Sequence, residues 1–144
     1  MKGFGNNKKA NSSNINLNGK TPSNNEVLYK TALSLHSKGK LKEAASYYSD
    51  LLRKGKKDQV ILNNLGVIYQ HFKQNQKAVN LYRQSILSFP KNPEAYSNLA
   101  RILIDNGNYE EAKTYLKIAI KVNPNFLIAY KNLINIYVNE GNIV

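Results

Sequence analysis

Three asparagines, Asn64, Asn98 and Asn132, stand 34 residues apart from one another. A carboxamide offers both donors and an acceptor, so a row of them at a constant step can pair with the backbone amides of an extended peptide whatever its side chains. That is binding chemistry, and the sequence offers little of any other kind. The two histidines, His36 and His71, have no third ligand at metal spacing. Glu110 and Glu111 are adjacent, and neighbouring residues on a helix point in different directions; the pair instead suits the positive end of a helix. No phosphate-cradling glycine loop occurs. The chain has no cysteine, which excludes disulfides and thiolate zinc sites. These residues predict no catalytic centre, no metal and no cofactor.

A repeat must hold such a row in place. Past residue 24 the chain superimposes on itself at a step of 34 without gaps. One column holds Leu28, Leu62, Tyr96 and Tyr130; others hold Leu35, Tyr69, Leu103 and Tyr137, then Ala44, Ala78 and Ala112, then Tyr48, Tyr82 and Leu116. The expected units are residues 25–58, 59–92 and 93–126, with 127–144 as the first helix of a partial fourth. Within each unit the apolar spacings of three and four mark two helices, separated by polar breaks near 37–39, 73–75 and 105–107. Small residues at Ala32, Gly66 and Ala100 let the paired helices approach closely. Ser23 three residues ahead of Glu26 fits a helix-opening capping box, and Asn92, Pro93 and Glu94 fit another helix start.

These columns resemble the tetratricopeptide repeat. Leu65, Gly66, Tyr69, Ala78, Tyr82 and Pro90, and then Leu99, Ala100, Leu103, Ala112, Ala119 and Pro124, match its pattern over about residues 25–142. The first unit departs at Thr31 and Lys56, but Gly39, Leu41, Glu43, Ala44 and Tyr48 keep it recognisable. The resemblance implies an all-α fold, an α-solenoid wound as a right-handed superhelix, of three full helix-turn-helix repeats plus one extra helix. It also implies that the first helices line a concave, peptide-binding groove. Asn63, Asn64, Val67 and His71 turn away from the partner helix, as do Asn98, Arg101, Asn132 and Asn135, with Tyr29 and Lys30 in the first unit. The asparagine row resembles the ladder lining the repeats of O-linked N-acetylglucosamine transferase. Chaperone-binding repeats instead grip an acidic C-terminus with Lys and Arg; here those columns read Tyr29, Leu33, Asn64, Glu94 and Asn98, which argues against that ligand.

The formal net charge of +12 lies entirely in the first 92 residues. Residues 1–24 carry four lysines and no acid within an Asn-, Gly- and Ser-rich stretch, the composition of a disordered basic tail. Most tyrosines occupy core columns, so specific nucleic-acid binding is not expected, although the basic half could touch nucleic acid or an anionic surface weakly. No apolar run is long enough for a membrane span, and a cytoplasmic location is the default. The chain stops after the first helix of its fourth unit, so Tyr130, Leu133, Ile134 and Tyr137 should form a bare apolar patch. Self-association, cover by a partner protein, or truncation of a longer chain would each account for it. The expected function is a scaffold for an unidentified protein or peptide partner. The alternative is the N-terminal module of a larger transferase- or hydroxylase-type enzyme, since the opening residues resemble the start of some bacterial repeat proteins.

Overall fold

The computed structural model describes residues 22–141; the expected basic tail lies outside them, apart from its last three residues. Seven helices follow in order: α1 (Asn24–Ser37), α2 (Leu41–Arg53), α3 (Gln59–His71), α4 (Asn75–Ser88), α5 (Pro93–Asp105), α6 (Tyr109–Val122) and α7 (Leu127–Asn139). There is no strand among the described residues, and the protein is an all-α helical repeat solenoid. α1, α3 and α5 each pack on the even-numbered helix that follows, and α7 packs on α6 before it. α3 also borders α5, and α5 borders α7, which gives a face made only of odd-numbered helices.

Local chemistry explains the alternation of joints. α1, α3 and α5 open after a capping side chain, whereas α7 follows Phe126 without one: the Ser23 hydroxyl accepts from the Glu26 N–H at 3.2 Å, Asp58 from Val60 at 2.8 Å, and Asn92 from Glu94 at 3.2 Å. Each satisfies a backbone donor that the first turn would otherwise leave unpaired. The Glu26 carboxylate bonds Lys30 at 2.9 Å. Even helices have no side-chain cap and follow tight reversals instead. In each reversal a residue with positive φ lets two N–H groups fold back onto the preceding helix. Lys40 N donates to Leu35 O at 2.9 Å, Gln74 N to Tyr69 O at 2.8 Å and Asn108 N to Leu103 O at 2.8 Å. Gly39 and Gly107 take the left-handed position at φ 73° and 77°, but the equivalent residue between α3 and α4 is Lys73 at φ 59°. A side chain there costs of order 1 kcal/mol that glycine avoids.

Small residues set the separation within each pair. An added Cβ on Gly66 would overlap the Tyr82 ring, standing 2.8 Å from its Cζ and 3.0 Å from its Cδ1. Ala32, Ala44, Ala78, Ala100 and Ala112 are fully buried, as are Tyr48 and Tyr82. The expected core columns are corrected in places. Tyr69 is half-buried, with the Lys77 ammonium 5.1 Å from its ring centre. Tyr130 and Tyr137 are each 40% exposed, because no helix covers that side of α7 among the described residues. Leu133 does not belong to the bare patch, since it turns inward against the cluster that holds Leu116 and Ile136.

Candidate functional site

The face built by α3 and α5 carries the row of carboxamides. Helical spacing places Asn63, Asn64 and Val67 on one side of α3 and Asn98 on the facing side of α5. Together with Gln59, Val60, Asn92 and Glu94 they line a cavity of about 270 Å³ between the two helices. Its lining combines amides, two valines and one carboxylate, and holds no cation. A site of this kind hydrogen-bonds backbone and small polar groups while the valines contact apolar surface.

Two of the three spaced asparagines also work inside the fold. Asn64 donates from Nδ2 to the Tyr48 hydroxyl at 3.1 Å, joining α3 to α2. Asn132 donates from Nδ2 to the Ser97 hydroxyl at 3.1 Å, joining α7 to α5. Each bond holds its amide plane in place and still leaves the Oδ1 acceptor and a second N–H for a guest. Asn98 makes no side-chain hydrogen bond among the described residues that would compete with one. Asn63 Oδ1 is buried and has no hydrogen-bond partner among the described residues.

The other expected groove residues are dispersed. Arg101 is exposed and donates to Gln70 Oε1 at 2.6 Å, bridging α5 and α3; the same oxygen accepts from the Tyr82 hydroxyl at 3.3 Å. Burial pushes the Tyr82 hydroxyl up to about 12, with Arg101 pulling the other way. His71 is exposed at the end of α3, against Phe72, and lines a separate cavity of about 340 Å³ with the turn between α1 and α2. Tyr29 packs half-buried on the first core, with Lys56 5.4 Å from its ring centre; burial and nearby Asp58 raise its hydroxyl above the usual range. Lys30 is held by Glu26, and Asn135 is exposed on α7 beyond the cavity. His36 stands edge-on to Tyr48, with its Nδ1 3.5 Å from the hydroxyl, and burial lowers its pKa. No group of three metal-ligating side chains occurs among the described residues, and no described helix is long and apolar enough to cross a membrane.

Sequence reasoning missed the ties that fix this face. The Gln70 to Arg101 bridge spans 31 residues and has no periodic signature. The bond from Asn64 to Tyr48 was within reach, because both lie in repeating columns, but it requires knowing how deeply Tyr48 sits.

Comparison with known proteins fits this geometry. Two family models, each described as tetratricopeptide repeat, match residues 26–54 and 71–137. The photosystem I assembly protein Ycf3 of Rippkaea orientalis is 28% identical over 127 residues, which is 76% of this chain and 73% of that protein. The cell division cycle protein 16 homolog of Homo sapiens is 28% identical over 103 residues, 65% of this chain; the match spans only 17% of that protein. Among solved structures, the first such domain of Spaghetti (RPAP3), bound to the HSP90 peptide SRMEEVD, superimposes with a TM-score of 0.74 at 20% identity. That alignment covers 81% of this chain and 93% of the other.

Proposed function

The chain belongs to the tetratricopeptide repeat family, and from that premise we propose that it is a non-enzymatic interaction scaffold whose odd-helix face takes an extended peptide. The carboxamide-lined cavity between α3 and α5 carries this reading. Asn63, Asn64 and Asn98 face it from two helices, so donors and acceptors surround a guest's backbone and confer tolerance of its side chains. Val60 and Val67 supply the apolar contact that amides lack.

The charge of the cavity narrows the guest. Glu94 is exposed at its rim, where gripping an acidic C-terminus would require a cation. The guest is therefore neutral or basic at that point, unlike the acidic peptide bound to the RPAP3 domain.

The test is calorimetry of this chain with a dodecamer selected against it from a random peptide library. Asn98→Ala, which breaks no bond of the fold, should weaken binding by about 3- to 10-fold, as expected for one lost hydrogen bond. Asn64→Ala should do the same with a measurable loss of thermal stability, since the Tyr48 hydroxyl is left with only its longer contact to His36. Unchanged affinity in Asn98→Ala would remove the amide row from the reading.

A further inference from the structure

We propose that the edge of the solenoid formed by the turns after α1 and α3 docks a short acidic segment of a partner protein. Two cavities on this edge share one construction. The first, about 340 Å³, is formed by the turn after α1 together with His71 and Phe72 at the end of α3. The second, about 450 Å³, is formed by the turn after α5 together with Glu140 at the end of α7. They lie two repeat steps apart, so their residues correspond, and the charge is reversed: Lys40 becomes Asn108, Lys42 becomes Glu110 and Phe72 becomes Glu140.

The surrounding turns widen the contrast. Residues 37–43 and 71–77 carry the exposed lysines Lys38, Lys40, Lys42, Lys73 and Lys77 against one acid, Glu43, a formal +4. Glu43 pairs with Lys40 at 3.6 Å, but the two side chains are 58% and 56% exposed, so a guest carboxylate can replace it at little cost. At the other end stand Asp105, Glu110, Glu111 and Glu140 against Lys113, a formal −3. That one cation is already bonded to Glu110 and Glu140 at 2.8 Å each.

Distance selects the guest. Neighbouring helices stand about 10 Å apart, which separates the two cavities by roughly 20 Å, more than twice the Debye length of about 8 Å at physiological salt. The acidic end therefore does not neutralise the cationic one. A polyanion long enough to lie across both, such as a nucleic acid or an anionic bilayer, meets repulsion over half of its contact. An acidic segment of about four residues spans about 13 Å and fits on the cationic end alone.

This surface shares no residue with the amide-lined cavity, so the two readings fail independently. Fluorescence anisotropy of a labelled octapeptide with a central run of glutamates, titrated with the full chain, should show binding. It should weaken by about 10-fold between about 20 and about 150 mM sodium chloride. Lys42→Glu combined with Lys73→Glu should weaken it by at least about 10-fold at low salt, with helical circular dichroism unchanged because both side chains are exposed. Lys117→Glu combined with Lys121→Glu removes the same net charge from exposed positions on α6 and should change affinity by less than about 2-fold. No binding at low salt, indifference to salt, or equal losses in the two double variants would overturn the docking surface. A single-stranded RNA of equal charge that binds more tightly than the octapeptide, with the same sensitivity to Lys42→Glu and Lys73→Glu, would overturn the acidic segment in favour of nucleic acid.

Discussion

Helices α5 and α7 carry equivalent residues in opposite surroundings. Tyr96 and Ala100 of α5 are 7% and 0% exposed beneath α6; their counterparts on α7, Tyr130 and Ile134, are 40% and 62% exposed. The difference shows what a small residue is for in this fold. Where a second helix lies across the position, Ala32, Gly66 and Ala100 admit Tyr48, Tyr82 and Leu116. On α7, where none does among the described residues, the position holds isoleucine. The residue type records the neighbour, and the helix itself forms either way.

Exchanging residues between the two helices should break the comparison most severely. Ala100→Ile places a β-branched side chain where α6 packs and should cost about 3 kcal/mol in urea unfolding, toward the upper end for overpacking. Gly66→Ala should cost about 2 kcal/mol despite its better helix propensity, because its Cβ meets the Tyr82 ring. Adding Tyr82→Leu, which imitates the pairing of Ala100 with Leu116, should recover part of that loss.

The buried partner also makes the covered region sensitive to pH. Tyr82 ionises near its ordinary value of 10.0 in the unfolded chain but at about 12 when folded. Above pH 10 the unfolded state releases the proton first, so stability should fall as pH rises from 10 toward 12, by about 2 kcal/mol at most. Tyr82→Phe should flatten that slope in pH-dependent thermal melts; an unchanged slope would place its origin elsewhere.

Smaller effects sharpen the contrast. Lys73→Gly relieves the left-handed backbone between α3 and α4 and should stabilise the chain by about 1 kcal/mol. Ile134→Ala, the reciprocal of the first exchange, should change chemical stability by less than about 0.5 kcal/mol, since that side chain is 62% exposed and no described helix lies across it. A large loss there would mean that α7 is held differently.

The fold was legible because the signals that set it are local and periodic. Ala44, Ala78 and Ala112 recur at one step, and Ser23 and Asn92 announce the helices they cap. Lys73 shows the limit: the column reads Gly39, Gly107 and Gly141 elsewhere, and only the repeat frame identifies a lysine in a glycine's conformation. The site was legible in part. Asn63, Asn64, Val67 and Asn98 were identifiable from helical spacing, and they share one cavity. His71 and Arg101 lie on the same helices but point elsewhere, His71 toward the turn between α1 and α2 and Arg101 into its bond with Gln70. Such destinations depend on tertiary contacts between distant residues, which helical spacing does not encode. Leu133 was misplaced for a related reason: it shares the stripe's period but lies close enough to the inner face to be drawn into the core.

The central claim is that the amide-lined cavity between α3 and α5 receives the guest. Nuclear magnetic resonance of the uniformly 15N-labelled chain, titrated with the selected dodecamer, tests it directly. The side-chain NH2 signals of Asn63, Asn64 and Asn98 should move together with backbone amides of α3 and α5, while those of α2, α4 and α6 stay still. Perturbations confined to the even-numbered helices, or to the cavity beside His71, would contradict it.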